Sequence, residues 1–333
     1  MPWGPAHHRR MTTTAIPAPA SDSYDAVVVG GGAAGLSGAV VLARSRRSVL
    51  VVDSGSPRNA PADGVHAFLG HDGVPPAELL ARGRAELARY GGHLVTGEVS
   101  AAGTTETGFV VEVEGRRVHA RRLLVATGAV DELPDVPGLR ERWGRDVVHC
   151  PYCHGWEVRD QPIGVLATQP SFMHQALLFR QLSDDVVVLA HGVEPTAEQR
   201  EQLRALAIGL VTDGVAALET SDDRITGVRL RTGTVVPRSV LTVQTVLSPR
   251  LGALADLGLE VVDHPSGAVR HVPTTDAGGR SHVPGVWLAG NVTDPMAQVV
   301  AAAAAGTMAG AQINADLVMA DAAAALTELR AAS

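Results

Sequence analysis

Cys150 and Cys153 are the only cysteines among 333 residues, and they stand as Cys-Pro-Tyr-Cys with His154 directly behind them. Thiol exchange needs an attacking thiolate, a second sulfur that resolves the mixed disulfide, and a leaving sulfur of low pKa. Two cysteines so spaced at a helix start meet all three needs. Helix-terminal N–H groups favour the thiolate, and Pro151 suits a first turn because no donor is needed from it there. His154, with an ordinary pKa of ~6.5, can take a proton from a thiol near neutral pH. It is the candidate general base, weighed against a packing or capping histidine. Cys150, Cys153 and His154 form the expected catalytic set.

The same residues spell rival patterns. Cys-x-x-Cys-His also attaches haem, but that needs an export route and an axial ligand set, and no secretory signal precedes it. His149, Cys150, Cys153 and His154 could be read as zinc ligands, yet four ligands in six consecutive residues do not easily surround one ion tetrahedrally. No metal is expected. A purely structural disulfide closing so short a loop would contribute little.

The elements that must position this pair begin at the N-terminal side. Asp25-Ala-Val-Val-Val-Gly30 reads as a buried strand, Ala33 to Arg44 as a helix, and Ser48 to Asp53 as a second strand. Gly30, Gly32 and Gly35 fit G-x-G-x-x-G: a tight turn, an approach to a pyrophosphate, and close helix packing. The helix N-terminus then faces the phosphates, and Asp53 stands where a carboxylate can accept bonds from a ribose. Helical spacing runs from Pro76 to Tyr90, strands pair around Glu114-Gly115, and Val125-Ala-Thr-Gly128 follows. The Pro-rich stretch from Leu133 to Pro137 reads as a linker, and a second α/β pattern starts near Asp146. The chain crosses back near residues 241–249, Val286 to Asn291 reads as a strand and turn, and Pro295 is the expected start of a long helix.

The expected fold is therefore α/β, with two nucleotide-binding, Rossmann-like domains, the second inserted in the first. Residues 23–132 and 247–333 form the first domain, 133–246 the insert, and 1–22 a disordered leader in which Met11 could be the true start. A length of 333 residues with 45% apolar content suits two cores. All 28 residues counted as Lys or Arg are Arg, which removes Schiff-base and phosphate-loop lysines. A net charge of −7 without a basic stripe argues against nucleic-acid binding. The small-residue run Met296 to Ile313 carries Gln298, Thr307 and Gln312, which suits a packed helix rather than a membrane span. A cytoplasmic protein is expected.

The order of these pieces, ending in Gly290-Asn-Val-Thr-Asp294, resembles the low-molecular-weight thioredoxin reductases from about Ser23 to Val318. That resemblance implies FAD in the first domain, the cysteine pair and an NADPH-type site in the insert, and a homodimer. It implies that Cys150 faces the substrate and Cys153 the flavin. The sequence is most similar to the FAD-dependent dithiol oxidases that close the disulfides of gliotoxin and holomycin. Arg58 and Asn59 of Asp-Ser-Gly-Ser-Pro-Arg-Asn, His66, and His154 where the reductases carry Asp look like that branch. Around FAD the resemblance places Gly30, Gly32, Ala33, Ala34, Gly35 and Asp53, then Arg58, Asn59 and His66. It adds Thr127 and Gly128, with Asn291, Gln298 and Val299 at the last helix.

One departure is specific. Where the reductases carry a second glycine turn for NADPH, this chain runs Ile163-Gly-Val-Leu-Ala167 into Thr168-Gln-Pro-Ser171. Ala167 and Gln169 put side chains where backbone must meet a pyrophosphate, and Pro170 deletes a donor. The arginine pair expected after the next strand is also missing, since Ala190-His-Gly-Val-Glu194 stands there. The expected activity is oxidation of a small-molecule dithiol, with oxygen as acceptor and peroxide as product. Two alternatives are a thioredoxin reductase-like enzyme using NADPH weakly or a donor such as ferredoxin, and a redox-sensing flavoprotein without turnover.

Overall fold

The computed structural model describes residues 19–264 and 269–333; the expected leader lies outside them up to residue 18. In the first lobe β1 (Ser23–Val29) turns at Gly30 into α1 (Ala33–Arg44), which returns to β2 (Val49–Asp53). β1 and β2 pair in parallel with Ala26 opposite Val49. Their Val and Leu side chains are buried because helices and a second layer cover both faces. α2 (Pro76–Arg89) opens on Pro and buries Leu80 and Leu87, and β3 (His93–Thr96) extends the parallel sheet. β4 (Val99–Thr105), β5 (Gly108–Val113) and β6 (Arg116–Val125) form an antiparallel meander, giving the order β3-β2-β1-β6-β5-β4.

β7 (Ala129–Glu132) then leads into the second lobe through α3 (Leu139–Arg142) and β8 (Val147–Val148). α4 (Pro151–His154) is a single turn, followed by β9 (Ile163–Ala167), α5 (Phe172–Arg180), β10 (Val186–Ala190), α6 (Ala197–Ala205) and β11 (Gly209–Val211). β12 (Val215–Ser221), β13 (Arg224–Leu230) and β14 (Val235–Val236) make a small antiparallel sheet before β15 (Val240–Val243). The parallel sheet runs β11-β10-β9-β15-β8, with Phe172 and Phe179 packed on one face and Leu166, Leu189 and Leu241 on the other. The lobe therefore has its own core on both sides of its sheet.

The return strand β16 (Val246–Pro249) pairs antiparallel with β7, Val246 opposite Glu132, so a two-stranded ribbon joins the lobes. After the short pair β17 (Val262–Asp263) and β18 (Arg270–His271), β19 (Val286–Leu288) completes the first sheet beside the last three residues of β6. The expected α/β class with Rossmann-like parallel sheets is borne out. The last helix, α7 (Val299–Ala331), begins four residues later than Pro295. The side-chain amide of Asn291 donates to the carbonyls of Asp294 (3.0 Å) and Ala297 (2.9 Å), and so holds the intervening residues as a loop. No helix among the described residues is long and apolar enough to cross a membrane.

The small residues of α7 have a steric cause. A Cβ on Gly306 would collide with the carbonyl oxygen of Ala34, and one on Gly310 with that of Gly38, so α7 crosses α1 with their backbones nearly touching. Asp316 then pairs with Arg122 at 2.6 Å and Asp321 with Arg47 at 2.7 Å, which pins the helix to β6 and the α1–β2 turn. Gly306→Ala is expected to cost about 1–3 kcal/mol by forcing the helices apart. Gly103→Ala, whose added carbon meets nothing within 4 Å, serves as the control. Thermal unfolding checks both, and equal melting temperatures would show that the crossing tolerates separation.

Candidate active site at the Cys150–Cys153 pair

A cavity of about 830 Å³ opens between the lobes, within the ~300–1,000 Å³ range of small-ligand sites. Its wall takes Gly30, Gly32, Ala33 and Ala34 from the β1–α1 turn, Asp53 from the end of β2, and Arg58, Asn59 and His66 from the following loop. Thr127 and Gly128 come from the chain just past β6, while Asn291, Gln298 and Val299 come from the approach to α7. Cys150, Cys153 and His154 close it from the second lobe, which contributes nothing to the wall between residues 155 and 248. Gly35 is not on the wall. A Cβ there would strike the carbonyl of Gly30, so its part is the close seating of α1 on β1.

The wall fits a dinucleotide. Gly30 sits at φ +105°, where a side chain would also hit the Ala126 carbonyl, while a Cβ on Gly32 would meet only open space. α1 has no side-chain N-cap and no acid in its first turn, so its leading N–H groups are free to meet a phosphate. Asp53 accepts from Arg84 Nη2 at 3.0 Å and lines the cavity where a ribose hydroxyl could reach it. The hydroxyl of Thr127 is buried without a protein partner, an orphan that a ligand can satisfy.

The redox end is built by local geometry. Cys150 caps α4 in an extended conformation, Pro151 takes the first position, and the amides of Cys153 and His154 both donate to the Cys150 carbonyl, at 3.2 and 3.1 Å. One helical turn thus brings the two Cα atoms to 5.3 Å, and the cysteines are joined as a disulfide. His154 is pushed below its ordinary pKa by burial, with Glu157 opposing and His66 adding to the shift, so the ring is neutral at pH 7. Its Nε2 is buried without a protein partner. His66 reaches the same corner, held by Asp72 (3.2 Å) and Glu157 (3.5 Å).

Sequence reasoning missed a buried network beside the pair. Arg58 grips Asp131 of β7 with two hydrogen bonds, 2.6 and 2.8 Å, and Thr245 donates to the same carboxylate at 2.8 Å. Arg58 also reaches the Asn291 side chain at 3.5 Å. Burial would raise the Asp131 carboxyl, but Arg58 and Thr245 overcome it and hold the group below the usual carboxylate range. His149, next to Cys150, bonds Val243 through Nδ1 at 2.9 Å. The one cue for Asp131 is strand alternation, which turns it inward while Glu132 faces solvent. Nothing local names Arg58 as its partner, 73 residues away.

The profile of pyridine nucleotide-disulphide oxidoreductases matches residues 24–306. The chain belongs to this family. It is 34% identical over 314 residues to thioredoxin reductase tcpT of Claviceps purpurea, covering 89% of this chain and 96% of that one. To thioredoxin reductase sirT of Leptosphaeria maculans it is 32% identical, covering 90% and 96%. The crystal structure of HlmI superposes with a TM-score of 0.87 at 45% identity, covering 93% of this chain and 98% of that one. The thioredoxin reductase-like character read from the motifs is borne out. This member of the family binds FAD and is a flavin-dependent thiol/disulfide oxidoreductase.

Arg58→Ala leaves Asp131 buried without its countercharge, and breaking such a pair costs about 3–5 kcal/mol. The sign with pH follows from the carboxyl. In the wild type its depressed value contributes stability above the unfolded value of ~3.9, lost as pH falls through the folded one. In the variant the unpaired carboxyl is raised instead, so stability drops as pH rises past ~3.9. The gap in melting temperature should therefore be small at pH 4 and widest near pH 7, and a gap constant across that range would remove the pair from this role.

Proposed function

We propose that this enzyme is a dithiol oxidase acting on a small-molecule dithiol. The observation that carries the reading is the β9–α5 turn. There Ala167 and Gln169 stand where a nicotinamide dinucleotide needs glycines and Pro170 removes a donor, while the disulfide and His154 line the cavity that fits a flavin nucleotide. Electrons thus have a route in from sulfur and no well-formed seat for a pyridine coenzyme. The pairing of two copies belongs to the same proposal and rests on the family likeness alone.

His154, neutral at pH 7, accepts the proton of the first substrate thiol. The resulting thiolate attacks Cys150 Sγ, the Cys150–Cys153 bond breaks, and Cys153 leaves as a thiolate with the bonding pair. The second substrate sulfur then displaces Cys150, releasing the substrate as a disulfide and leaving two reduced cysteines. FAD, when bound, would supply a two-electron acceptor for the reduced cysteines, and the outside oxidant we take to be dioxygen, yielding peroxide.

The relatives named as thioredoxin reductases favour a second reading, a thioredoxin-reducing enzyme fed by NADPH or by ferredoxin. Anaerobic titration of the yellow enzyme separates the two. Bleaching by a small dithiol alone, with colour and peroxide returning on admission of air, is the expected result. Rapid bleaching by NADPH or reduced ferredoxin overturns it, and a single round of oxidation without turnover would mark a sensor. Cys150→Ser and Cys153→Ser should each abolish turnover while FAD stays bound.

His154→Ala should slow flavin reduction by a dithiol about 10²-fold near pH 7. Thiols ionise unaided near their ordinary ~8.5, so the deficit should shrink toward pH 9. In the wild type the base protonates only below its lowered pKa, so the rate should begin to fall at a lower pH than an ordinary histidine would give. An equal deficit at every pH would reduce His154 to packing.

A further inference from the structure

His149 stands outside the mechanism given above, yet it lines the same cavity as Cys150. Its Nδ1 lies 2.9 Å from the Val243 carbonyl, an acceptor, so Nδ1 carries the hydrogen and Nε2 carries the lone pair. Among the described residues no hydrogen bond is made at Nε2, which leaves it available as an acceptor. The backbone on both sides is clamped. Gln175 of α5 donates to the His149 carbonyl at 2.9 Å and to that of Val243 at 3.2 Å, so the residue and its acceptor are held by one side chain. The charged groups facing the ring are Arg58 and Asp131, already paired with each other. Burial, with the Arg58 charge adding to it, holds the imidazole below its ordinary pKa, the Val243 hydrogen bond and Asp131 opposing. The site thus holds two neutral imidazoles, one on each side of the cysteine pair in the chain, and a dithiol carries two protons to lose.

We infer that His149 is the second acid–base group of the site, serving the step that frees Cys150. The inference rests on the dithiol oxidase reading. In that step the second substrate thiol gives its proton to His149 Nε2, and its sulfur attacks the substrate sulfur bound to Cys150. The Cys150–substrate bond breaks, the new substrate disulfide forms, and Cys150 leaves with the electron pair. His149 then returns the proton to the Cys150 thiolate. The substrate has lost two electrons and two protons; the cysteine pair has gained both electrons, one proton rests on His154 and one on Cys150. The oxidant is the enzyme's own disulfide, so the step needs no further reactant.

His149→Asn separates this role from a structural one, because the Asn amide can still donate to Val243 while Nε2 is lost. The probe is dithiothreitol under anaerobic conditions, followed by flavin bleaching and by mass spectrometry of acid-quenched samples. The expected result is an approximately 10²-fold slower first turnover at pH 7, converging on wild type toward pH 9. A dithiothreitol adduct on Cys150 should accumulate, whereas His154→Ala, slowed before that bond forms, should show none. His149→Gln provides a second variant of similar volume should the Asn form fold poorly. A His149→Asn or His149→Gln enzyme with the wild-type rate and pH profile overturns the inference alone, as does a uniform loss at all pH without an adduct. A wild-type enzyme that dithiothreitol does not reduce overturns the dithiol oxidase reading and this inference with it.

Discussion

The two-pronged contact between Arg58 and Asp131 governs how the rest of the molecule meets. Arg58 belongs to the loop after β2, Asp131 to the first strand of the ribbon, and Thr245 to the approach to the second. A single buried carboxylate therefore ties the flavin lobe to both strands that carry the inserted lobe. Buried ion pairs add little net stability over apolar packing, because desolvation offsets most of the attraction. Their strength is directional. Two parallel N–H to oxygen bonds tolerate little rotation, and so the pair sets how the loop after β2 meets the ribbon.

The chemistry of the site follows from burial as much as from residue type. An exposed histidine would be partly protonated near pH 6.5, but His149 and His154 are both pushed down by desolvation and stay neutral. Neutral imidazoles accept protons from thiols, whereas charged ones could only donate them to thiolates. Cys150 and Cys153 gain little from the dipole of α4, which is one turn long. Nearby bases and fixed geometry must therefore do what a longer helix would do elsewhere.

Much of this was legible in the chain. The turn at Gly30 to Gly35, the helix it opens, the acid at Asp53 and the cysteine pair all declare themselves locally, because each depends on residues within a few positions. The Pro-rich stretch that begins at Leu133 follows β7 directly, whose last residue, Glu132, pairs with Val246 in the ribbon. The last helix, expected from Pro295, starts at Val299, since the amide of Asn291 captures carbonyls that a helix would otherwise use. His66 was read as a flavin neighbour; it lines that cavity, but its ring is also engaged by Asp72 and Glu157 at the histidine corner.

By itself the sequence determined the local grammar: which segment turns, which helix can approach a phosphate, and which sulfurs can exchange. Those properties follow from backbone freedom at glycine, the fixed φ of proline and the reach of one helical turn. Tertiary structure alone decided the pairing of Arg58 with Asp131, the tautomer that Val243 imposes on His149 and the burial that keeps both imidazoles neutral. Each of these joins groups far apart in the chain or depends on excluded water. Desolvation and long-range contact leave no mark on the spacing of residues, and only the folded chain brings them about.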